Sequence, residues 1–597
     1  MFQANAEHLQ TPLYSALDDL TAKGRVRLEK SWAGTFYHEV FMRLDEQPFA
    51  VLYATKDSRP NTPVNVLVGL EILKAGYGWS DEELYDHFSY DVQVRYALGY
   101  RNLGDGEFTL RTLYNFRQRL SQHMQETGEN LLDAAFAQVT SKQMKALEVH
   151  STHLRMDSTQ IASNIRETSR LQLLVEVLQR VERMLEETER QHYATTFAPY
   201  VKVSAGQYIY RLGTGERSQQ IAVIGEILQR LVVELAEKYG QAVAYQVLVR
   251  VFDEHFIWTK EEQRPKTAAE LSAHSLQSPD DTEATFRRKQ GESYRGYVGN
   301  VTETCDEDNE LQLIVKVQTA PNAMDDGQLL AEAVPDLVER TEVERITTDG
   351  GYNGPGPDSV LADHKIEHEQ TAIRGGRPLE DGINLAHFTF TFTDKDVLTT
   401  ITCPREQTAA VEAGKKDNRF IVHFDADVCA ACPLRQLCLA TRTRANKKPV
   451  LYFRQRDLLV AQKRQRIKQS TTRFNVRAAI EATVRCLVNP LPHDKAPVRG
   501  LFRVASYLLA SAFMVNLRRI HDHFVRKQQP PKKRQLNERQ PAVSSVSSAP
   551  VAALDLLFYA LIGLLAPLVV LFQHLFDSFN PQHADSRLDL SGAGSSC

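Results

Sequence analysis

The segment LRMDST, residues 154–159, has the composition of a short β-strand that ends in an acidic residue, Asp157. A later segment, RITTDGGY at residues 345–352, repeats this plan, with Asp349 followed by two glycines. Side chains at the ends of adjacent parallel strands lie about 5 Å apart. Two aspartates placed in this way can share a divalent cation, because Mg²⁺ prefers oxygen ligands. The two segments therefore predict a sheet with a metal site at the ends of two strands.

A third carboxylate is expected from the segment RFNVRAAIEATVRCLV, residues 473–488, which reads as a helix. Arg477 and Glu481 are four residues apart and so lie on one helix face. Glu481 is one of only 4 acidic residues in a block, residues 441–535, that holds 23 Lys and Arg. Such a lone acid is either an ion-pair partner or a third ligand for two-metal phosphoryl chemistry. The local sequence leaves both readings open.

The charge distribution suggests a nucleic-acid partner. The block 441–535 carries +19, although the whole chain of 597 residues carries only −4. A segment this basic favours binding to a phosphate backbone. The alternative is a solvated surface balanced by acidic parts of the same protein. The length predicts three to five domains, and without an evident signal peptide the expected location is the cytoplasm.

Four of the seven cysteines cluster, so a secreted disulfide framework is not expected. The segment CAACPLRQLC contains three of them, and ITCP supplies the fourth. The C-x2-C spacing suits two thiolates on one structural Zn²⁺, and the others would complete a tetrahedral site. The alternative is a set of reduced thiols packed inside a small insert. The candidate zinc ligands are Cys403, Cys429, Cys432 and Cys438.

Periodic patterns predict helices on both sides of the first strand. Ser80 and Glu83 have capping-box spacing, and Thr109–Leu120 reads as an amphipathic helix. Three arginines of that helix are candidates for phosphate contacts: Arg111, Arg117 and Arg119. Charged residues on a single helix more often simply form its solvent-exposed face. Apolar residues recur three or four positions apart from residue 171 and again from residue 221, which predicts an antiparallel helical pair. Residues 294–320 predict a β-hairpin.

The last segment turns from polar to apolar, with 18 uncharged residues at 556–573. That length is at the lower limit for a membrane span. Because the rest of the chain gives no membrane signal, we expect the tail at 554–577 to dock on protein rather than to enter a membrane.

Together these motifs resemble the DDE transposases of bacterial insertion sequences. The resemblance rests on MDST, on TTDGGY and on F-x2-R-x3-E in the C-terminal helix. It extends to GWSDEELYDHFSYDVQVRYALGY, TLRTLYNFRQRL, KQGESYRGYVGN and RGLFRVASYLLASAFMVNLRRI, and so spans roughly residues 40–525. Each motif is weak alone, but their order and spacing are specific to the group with a helical N-terminal domain and a cysteine-cluster insert.

The resemblance implies a catalytic triad of Asp157, Asp349 and Glu481 that binds Mg²⁺ or Mn²⁺. It makes Arg477 a DNA contact beside the active site. Phe474 stands where the family has a tyrosine, and Val488 where it has a lysine, so contacts to the DNA ends are expected to differ. The implied partners are double-stranded DNA and a second copy of the chain, without a small-molecule substrate.

The resemblance also implies an α/β fold. It has a ribonuclease-H-like mixed-sheet core, interrupted by a helical and a cysteine-rich insert and preceded by an all-helical domain. The expected boundaries are a helical DNA-binding domain at 1–140, core parts at 141–165, 286–380 and 471–527, inserts at 166–285 and 381–470, and a linker and tail at 528–597.

The predicted function is transposition, in which the enzyme binds the element's ends, cleaves DNA by two-metal chemistry and joins 3′-hydroxyl ends to target DNA. One alternative is a ribonuclease-H-type nuclease without strand transfer. A second is a non-catalytic DNA-binding protein derived from a transposase, for which a damaged triad would be expected. A membrane-anchored zinc protein would leave the carboxylates and the basic block unexplained.

Overall fold

The computed structural model describes residues 1–10, 15–54, 59–213, 215–289, 291–371, 382–393, 397–414, 418–442, 449–469, 476–492 and 495–528. Residues 1–528 form one compact unit. The apolar tail that was expected to dock on protein, at 554–577, lies outside the described residues. Within them, no helix combines the length and apolar character needed to cross a membrane.

The N-terminal region is helical, as the sequence predicts. The predicted capping box begins one of its helices, where the Glu83 amide donates to the Ser80 hydroxyl over 3.1 Å and the Ser80 amide donates to the Glu83 carboxylate over 2.7 Å. The helices are α1 (Ala22–Glu29), α2 (Trp32–Glu39), α3 (Val64–Tyr77), α4 (Asp81–Tyr90), α5 (Val92–Ala97), α6 (Leu110–Thr127) and α7 (Leu131–Leu147).

A mixed sheet follows the N-terminal helices. Its strands are β1 (His153–Ala162), β4 (Thr285–Lys289), β5 (Glu292–Thr304), β6 (Ile314–Pro321), β7 (Arg345–Thr348) and β8 (Glu367–Gln370). The spatial order is β6-β5-β1-β7-β8, with β4 also paired to β5. β7 and β8 run parallel to β1 and to each other, whereas β5 is antiparallel to β1 and to β6. The predicted hairpin is confirmed as β5 and β6.

The prediction that the first strand ends at Asp157 is wrong. β1 continues to Ala162, because β5 pairs with it over its full length beyond Leu154. Its parallel neighbour β7 is much shorter and pairs only with residues up to Arg155. Asp157 therefore lies just beyond the end of the parallel ladder but inside the antiparallel one. For β7 the prediction holds, since the strand ends at Thr348 and Asp349 follows.

Helices and a short hairpin separate β1 from β4 in the sequence. They are α8 (Arg170–Met184), α9 (Glu187–His192), α10 (Ala194–Val201), α11 (Ala205–Tyr210), α12 (Glu216–Glu234), α13 (Ala236–Tyr239), α14 (Val243–His255), β2 (Phe256–Trp258) and β3 (Gln263–Pro265). Their apolar faces form a hydrophobic cluster of their own, which includes Leu178 of α8 and Leu228 of α12. Asp281 lies at the base of this segment and accepts hydrogen bonds from the hydroxyls of Ser163 and Tyr297.

The helices of the central sheet include α15 (Asp326–Arg340), between β6 and β7, and α16 (Pro355–Asp363), between β7 and β8. α19 (Val476–Val488) packs against β1, and α20 (Leu501–Gln528) packs against β6 and against α3. On α20, Asn516 bonds to the backbone of Ile314 through both of its amide atoms, each over 2.8 Å. The N-terminal helices, the sheet and α20 share one hydrophobic core.

The cysteine-containing segment forms a second sheet, which the sequence analysis did not predict. All its pairs are antiparallel, in the order β13-β14-β12-β11-β10-β9. Its elements are β9 (Thr389–Phe392), β10 (Leu398–Thr402), β11 (Thr408–Ala413), β12 (Arg419–His423), α17 (Ala426–Ala430), β13 (Thr441–Arg442) and β14 (Pro449–Arg454), followed by α18 (Gln455–Gln469).

Candidate active site

Asp157 and Asp349 line one narrow cleft at the centre of the mixed sheet. The last parallel pair between β1 and β7 is Arg155 with Thr347, so each aspartate lies two residues beyond this pair. Because strand side chains alternate between faces, both aspartates leave the sheet on the side of the residue two positions earlier. The structure thus brings together two of the three predicted acids, at the same level of adjacent parallel strands.

Backbone amides orient both carboxylates. Asp349 caps the single turn Gly350–Tyr352, with its Oδ1 accepting from the Gly351 amide over 2.7 Å. Asp157 accepts from the Ser158 amide over 2.9 Å. These bonds limit the rotation of each carboxylate.

A third acid, Asp326, lies close to this pair and was missed by the sequence analysis. It is the first residue of α15 and is 2% exposed. It accepts from the Ser158 hydroxyl over 3.1 Å and forms an ion pair with Arg287 over 3.3 Å. The only sequence signal was an acidic pair directly before a helix, which ordinarily marks a helix start.

Tyr352 adds a buried phenol next to these acids. It donates a hydrogen bond to Asn300 over 2.6 Å. Burial first, and then the charges of Asp157 and Asp326, raise the pKa of Tyr352 well above its usual value. The phenol therefore stays protonated and can donate its hydrogen bond to Asn300.

Glu481 lies on α19, and the residue before it, Ile480, lines the cleft with the two aspartates. Glu481, the third acid predicted from the sequence, is thus carried by the helix that borders the site. Among the described residues, however, no three His, Cys, Asp or Glu side chains are close enough together to hold a metal ion. The structure therefore joins Asp157 and Asp349 but does not assemble the predicted three-carboxylate group.

The predicted DNA contacts differ in their surroundings. Arg111 and Arg119 on α6 are exposed. Arg117 is instead bound to Glu71 over 2.7 Å and to Asp81 over 2.7 Å, so its charge is already balanced. Burial would raise the pKa of Asp81, but the hydrogen bonds from Arg117 and then Lys74 outweigh this and lower it to about 2.

Two further predicted contacts belong to the segment around α19. Phe474 lies outside the described residues, and so does the side chain of Arg477. Val488, at the family's lysine position, is partly buried against the main hydrophobic core.

The four predicted zinc ligands line a second cavity, on the cysteine-containing sheet. Burial raises the pKa of the Cys429 thiol, and the neighbouring Cys438 and Cys403 raise it further. Cys429 also lies 3.5 Å from the Gln407 side-chain oxygen. The thiols are thus neighbours, but in the described part of the chain they do not reach metal-binding proximity.

Comparison with known families gives two matches. Residues 26–119 match a transposase domain family, DUF772, and residues 402–521 match the family described as transposase DDE domain. A search of curated proteins finds no match to the chain. The first match runs from within α1 to within α6, and the second includes the four cysteines and Glu481. Asp157 and Asp349 lie outside both.

These matches, each over a part of the chain, indicate a DDE transposase of the insertion-sequence type. The recognition made from the sequence motifs is therefore confirmed. The family implies DNA as the partner and transposition as the activity, and its members typically use a divalent metal ion.

Proposed function

We propose that this transposase cleaves DNA at the ends of its element by metal-assisted in-line displacement and then joins the 3′-hydroxyl ends to target DNA. The observation that carries the proposal is the pair Asp157 and Asp349, which face one cleft from the same level of adjacent parallel strands. Two carboxylates so placed match the oxygen ligands that Mg²⁺ and Mn²⁺ prefer.

The strand order supports a ribonuclease-H-like core. If the short β4 is left aside, the five strands of this sheet are β1, β5, β6, β7 and β8 in chain order. From one edge of the sheet to the other they lie in the order third, second, first, fourth and fifth. On this count Asp157 lies on the first strand and Asp349 directly follows the fourth.

In the proposed mechanism Asp157 and Asp349 hold the metal and Glu481 completes its ligand set. When bound, the ion would activate a water or 3′-hydroxyl and stabilise the leaving oxygen. Asp157 lies on β1, the strand that pairs with β7 and also packs against the helix that carries Glu481. Because three carboxylates repel one another, we expect cation binding to draw Glu481 toward the aspartates.

DNA would approach through the basic C-terminal segment and the exposed arginines of α6. Phosphate contacts by Arg111, Arg119 and Arg477 would orient the element's end, and Phe474 would add a contact to the DNA. We expect a smaller contribution from Arg117, because its charge is balanced within the protein. Holding two element ends together favours a homodimer on DNA, and a chromosomal substrate favours a cytoplasmic enzyme.

The test replaces each acid by its amide: Asp157→Asn, Asp349→Asn and Glu481→Gln. We expect Mg²⁺-dependent cleavage to fall at least about a hundredfold, as when other electrostatic stabilisers are removed. DNA affinity, measured at one fixed salt concentration, should persist because the basic surface is unchanged. Asp308→Asn, at an exposed loop position, is the matched control and should cleave normally.

A single variant that keeps substantial activity would remove that residue from the triad. A wild-type chain that cleaves but never joins ends would favour a ribonuclease-H-type nuclease. A chain that binds DNA and does not cleave it with either Mg²⁺ or Mn²⁺ would favour the non-catalytic alternative.

We also propose that the cysteine cavity holds a structural zinc ion. The support is the cavity that all four cysteines line, because thiolate sulfur is a preferred ligand of structural Zn²⁺. Elemental analysis of the purified chain should find about one zinc per molecule, which Cys429→Ser with Cys432→Ser should remove. Purified wild-type protein without zinc would contradict this proposal.

A further inference from the structure

The Glu303 side chain is buried beside the candidate active site, where it joins the sheet to two helices. It lies on β5 directly opposite Arg155 of β1, and its side chain is completely buried. A buried carboxylate is costly unless charged or hydrogen-bonding partners compensate it. The structure supplies such partners from three different elements.

Both carboxylate oxygens are bound. Glu303 Oε1 accepts from Arg155 Nε over 2.6 Å. Glu303 Oε2 accepts from Arg519 Nη1 of α20 over 2.7 Å and from the Thr483 hydroxyl of α19 over 2.8 Å. Arg519 also donates to the Thr483 oxygen, so the carboxylate, the guanidinium and the hydroxyl close a ring.

Two hydrogen-bond partners of Glu303 are close in sequence to predicted ligands. Arg155 precedes Asp157 by two residues on the same face of β1, and Thr483 follows Glu481 by two residues on α19. Thr483 is 1% exposed, so its hydroxyl is held within the protein. Glu303 therefore connects the strand that carries one acid to the helix that carries another.

We propose that Glu303, through Thr483 and Arg519, is a positioning residue that fixes α19 relative to β1 and thereby sets the metal affinity of the site. This inference rests on the proposed function. Glu303 itself would contact neither the metal nor DNA. Apolar packing alone lets a helix slide on a sheet, whereas directional bonds to both oxygens specify one placement. Residues that orient ligands in this way change metal affinity typically 10–100-fold when altered.

A merely structural role makes a different prediction. Loss of a buried bond would then lower the stability of the fold but leave the metal affinity of the folded fraction unchanged. Metal binding measured on folded protein separates the two roles, because it reports ligand placement directly.

The experiment compares Thr483→Val, which removes the hydroxyl at nearly constant volume, with Thr483→Ser, which retains it. Mn²⁺ binding to the full-length chain without DNA is followed by electron paramagnetic resonance, and cleavage is measured against Mn²⁺ concentration. We expect about tenfold weaker Mn²⁺ binding in Thr483→Val and wild-type affinity in Thr483→Ser. Cys486→Ser, an exposed position on the same helix, is the matched control and should match wild type.

If Thr483→Val does not fold, Arg519→Lys provides the second variant. It keeps a charge near Glu303 but loses the forked contact to Thr483, so it should also weaken Mn²⁺ binding. Wild-type Mn²⁺ affinity in a folded Thr483→Val or Arg519→Lys chain would overturn the positioning role. Failure of the wild type itself to bind Mn²⁺ or to cleave DNA would instead overturn the proposed function.

Discussion

At the scale of single residues, the environment of Asp349 contains a buried histidine. His368 of β8 shares a hydrogen bond with the hydroxyl of Thr348 over 2.9 Å. Asp358 lies 4.0 Å from its other ring nitrogen, and Lys463 lies near the same aspartate. Burial first, and then the charge of Lys463, lower the pKa of His368 to about 3. The residue therefore stays neutral next to the turn that carries Asp349.

This histidine predicts a pH dependence of stability. A histidine titrates near pH 6.5 in the unfolded chain. The contribution of neutral His368 to the free energy of unfolding is therefore complete above that pH and is lost as the pH falls toward 3. We expect His368 to lower the free energy of unfolding by about 2 kcal/mol at pH 5 relative to pH 7.5. In His368→Gln the loss of denaturant stability over this pH interval should be smaller by about that amount. The exposed His150→Gln is the control, and an unchanged pH dependence in His368→Gln would contradict the account.

Two acids of the site could be predicted from the sequence, whereas the buried acids beside them could not. Asp157 and Asp349 could be predicted because an acid after a strand-like run has a local signal. Asp326 and Glu303 could not, because each acquires its position only through long-range contacts to Arg287, or to Arg155 and Arg519. Such contacts leave no pattern in the local sequence.

At the scale of elements, α18 is a basic helix that contacts the segment following Asp349. Its Lys463 binds Asp358 over 2.6 Å and lies 3.4 Å from Asn353, which follows Asp349 by four residues. Arg456 and Arg466 of the same helix are exposed. A basic helix anchored beside the site is suited to contact the DNA backbone.

Charge reversal on α18 tests this contact. Arg456→Glu and Arg466→Glu should each weaken DNA binding and reduce the slope of log affinity against log salt by about one. Arg217→Glu, at an exposed position on α12, is the matched control for net charge. Equal weakening by all three variants would indicate a general charge effect and would remove α18 from the DNA interface.

Local signals explain which elements could be foreseen. The capping box of α4 and the β5–β6 hairpin depend on residues close in sequence, and both predictions are confirmed. The length of β1 depends on its distant partner β5, so its predicted end was wrong. The antiparallel sheet around the cysteines was missed because its short strands alternate only weakly between buried and exposed residues.

At the scale of the whole molecule, the segment between β1 and β4 has a hydrophobic cluster separate from the main core. Its two ends meet where Asp281 binds Ser163. A segment that is internally packed and joined at its base adds little to the packing of the sheet. Within residues 1–528, the sheet and its helices can therefore be regarded as a core to which a helical body is attached at its base.

Removal of that body should leave the core folded. We expect a chain in which a short Gly/Ser linker replaces residues 166–280 to keep hydrogen-exchange protection in β5 and β6. A deletion of 166–282, which also removes Asp281, is the matched comparison and should be less stable, because Tyr297 and Ser163 lose their acceptor. Loss of protection in both deletions would show that the helical body supports the sheet.

The register between β1 and β7 also limits which changes in length the gene can accept. Successive strand residues point to opposite faces, so loss or gain of one residue just before Asp157 would turn its carboxylate to the other side of the sheet. A change of two residues would keep the face and move the carboxylate along the strand by about 7 Å. Across natural variants, substitutions in this strand should therefore be far more common than one-codon insertions or deletions.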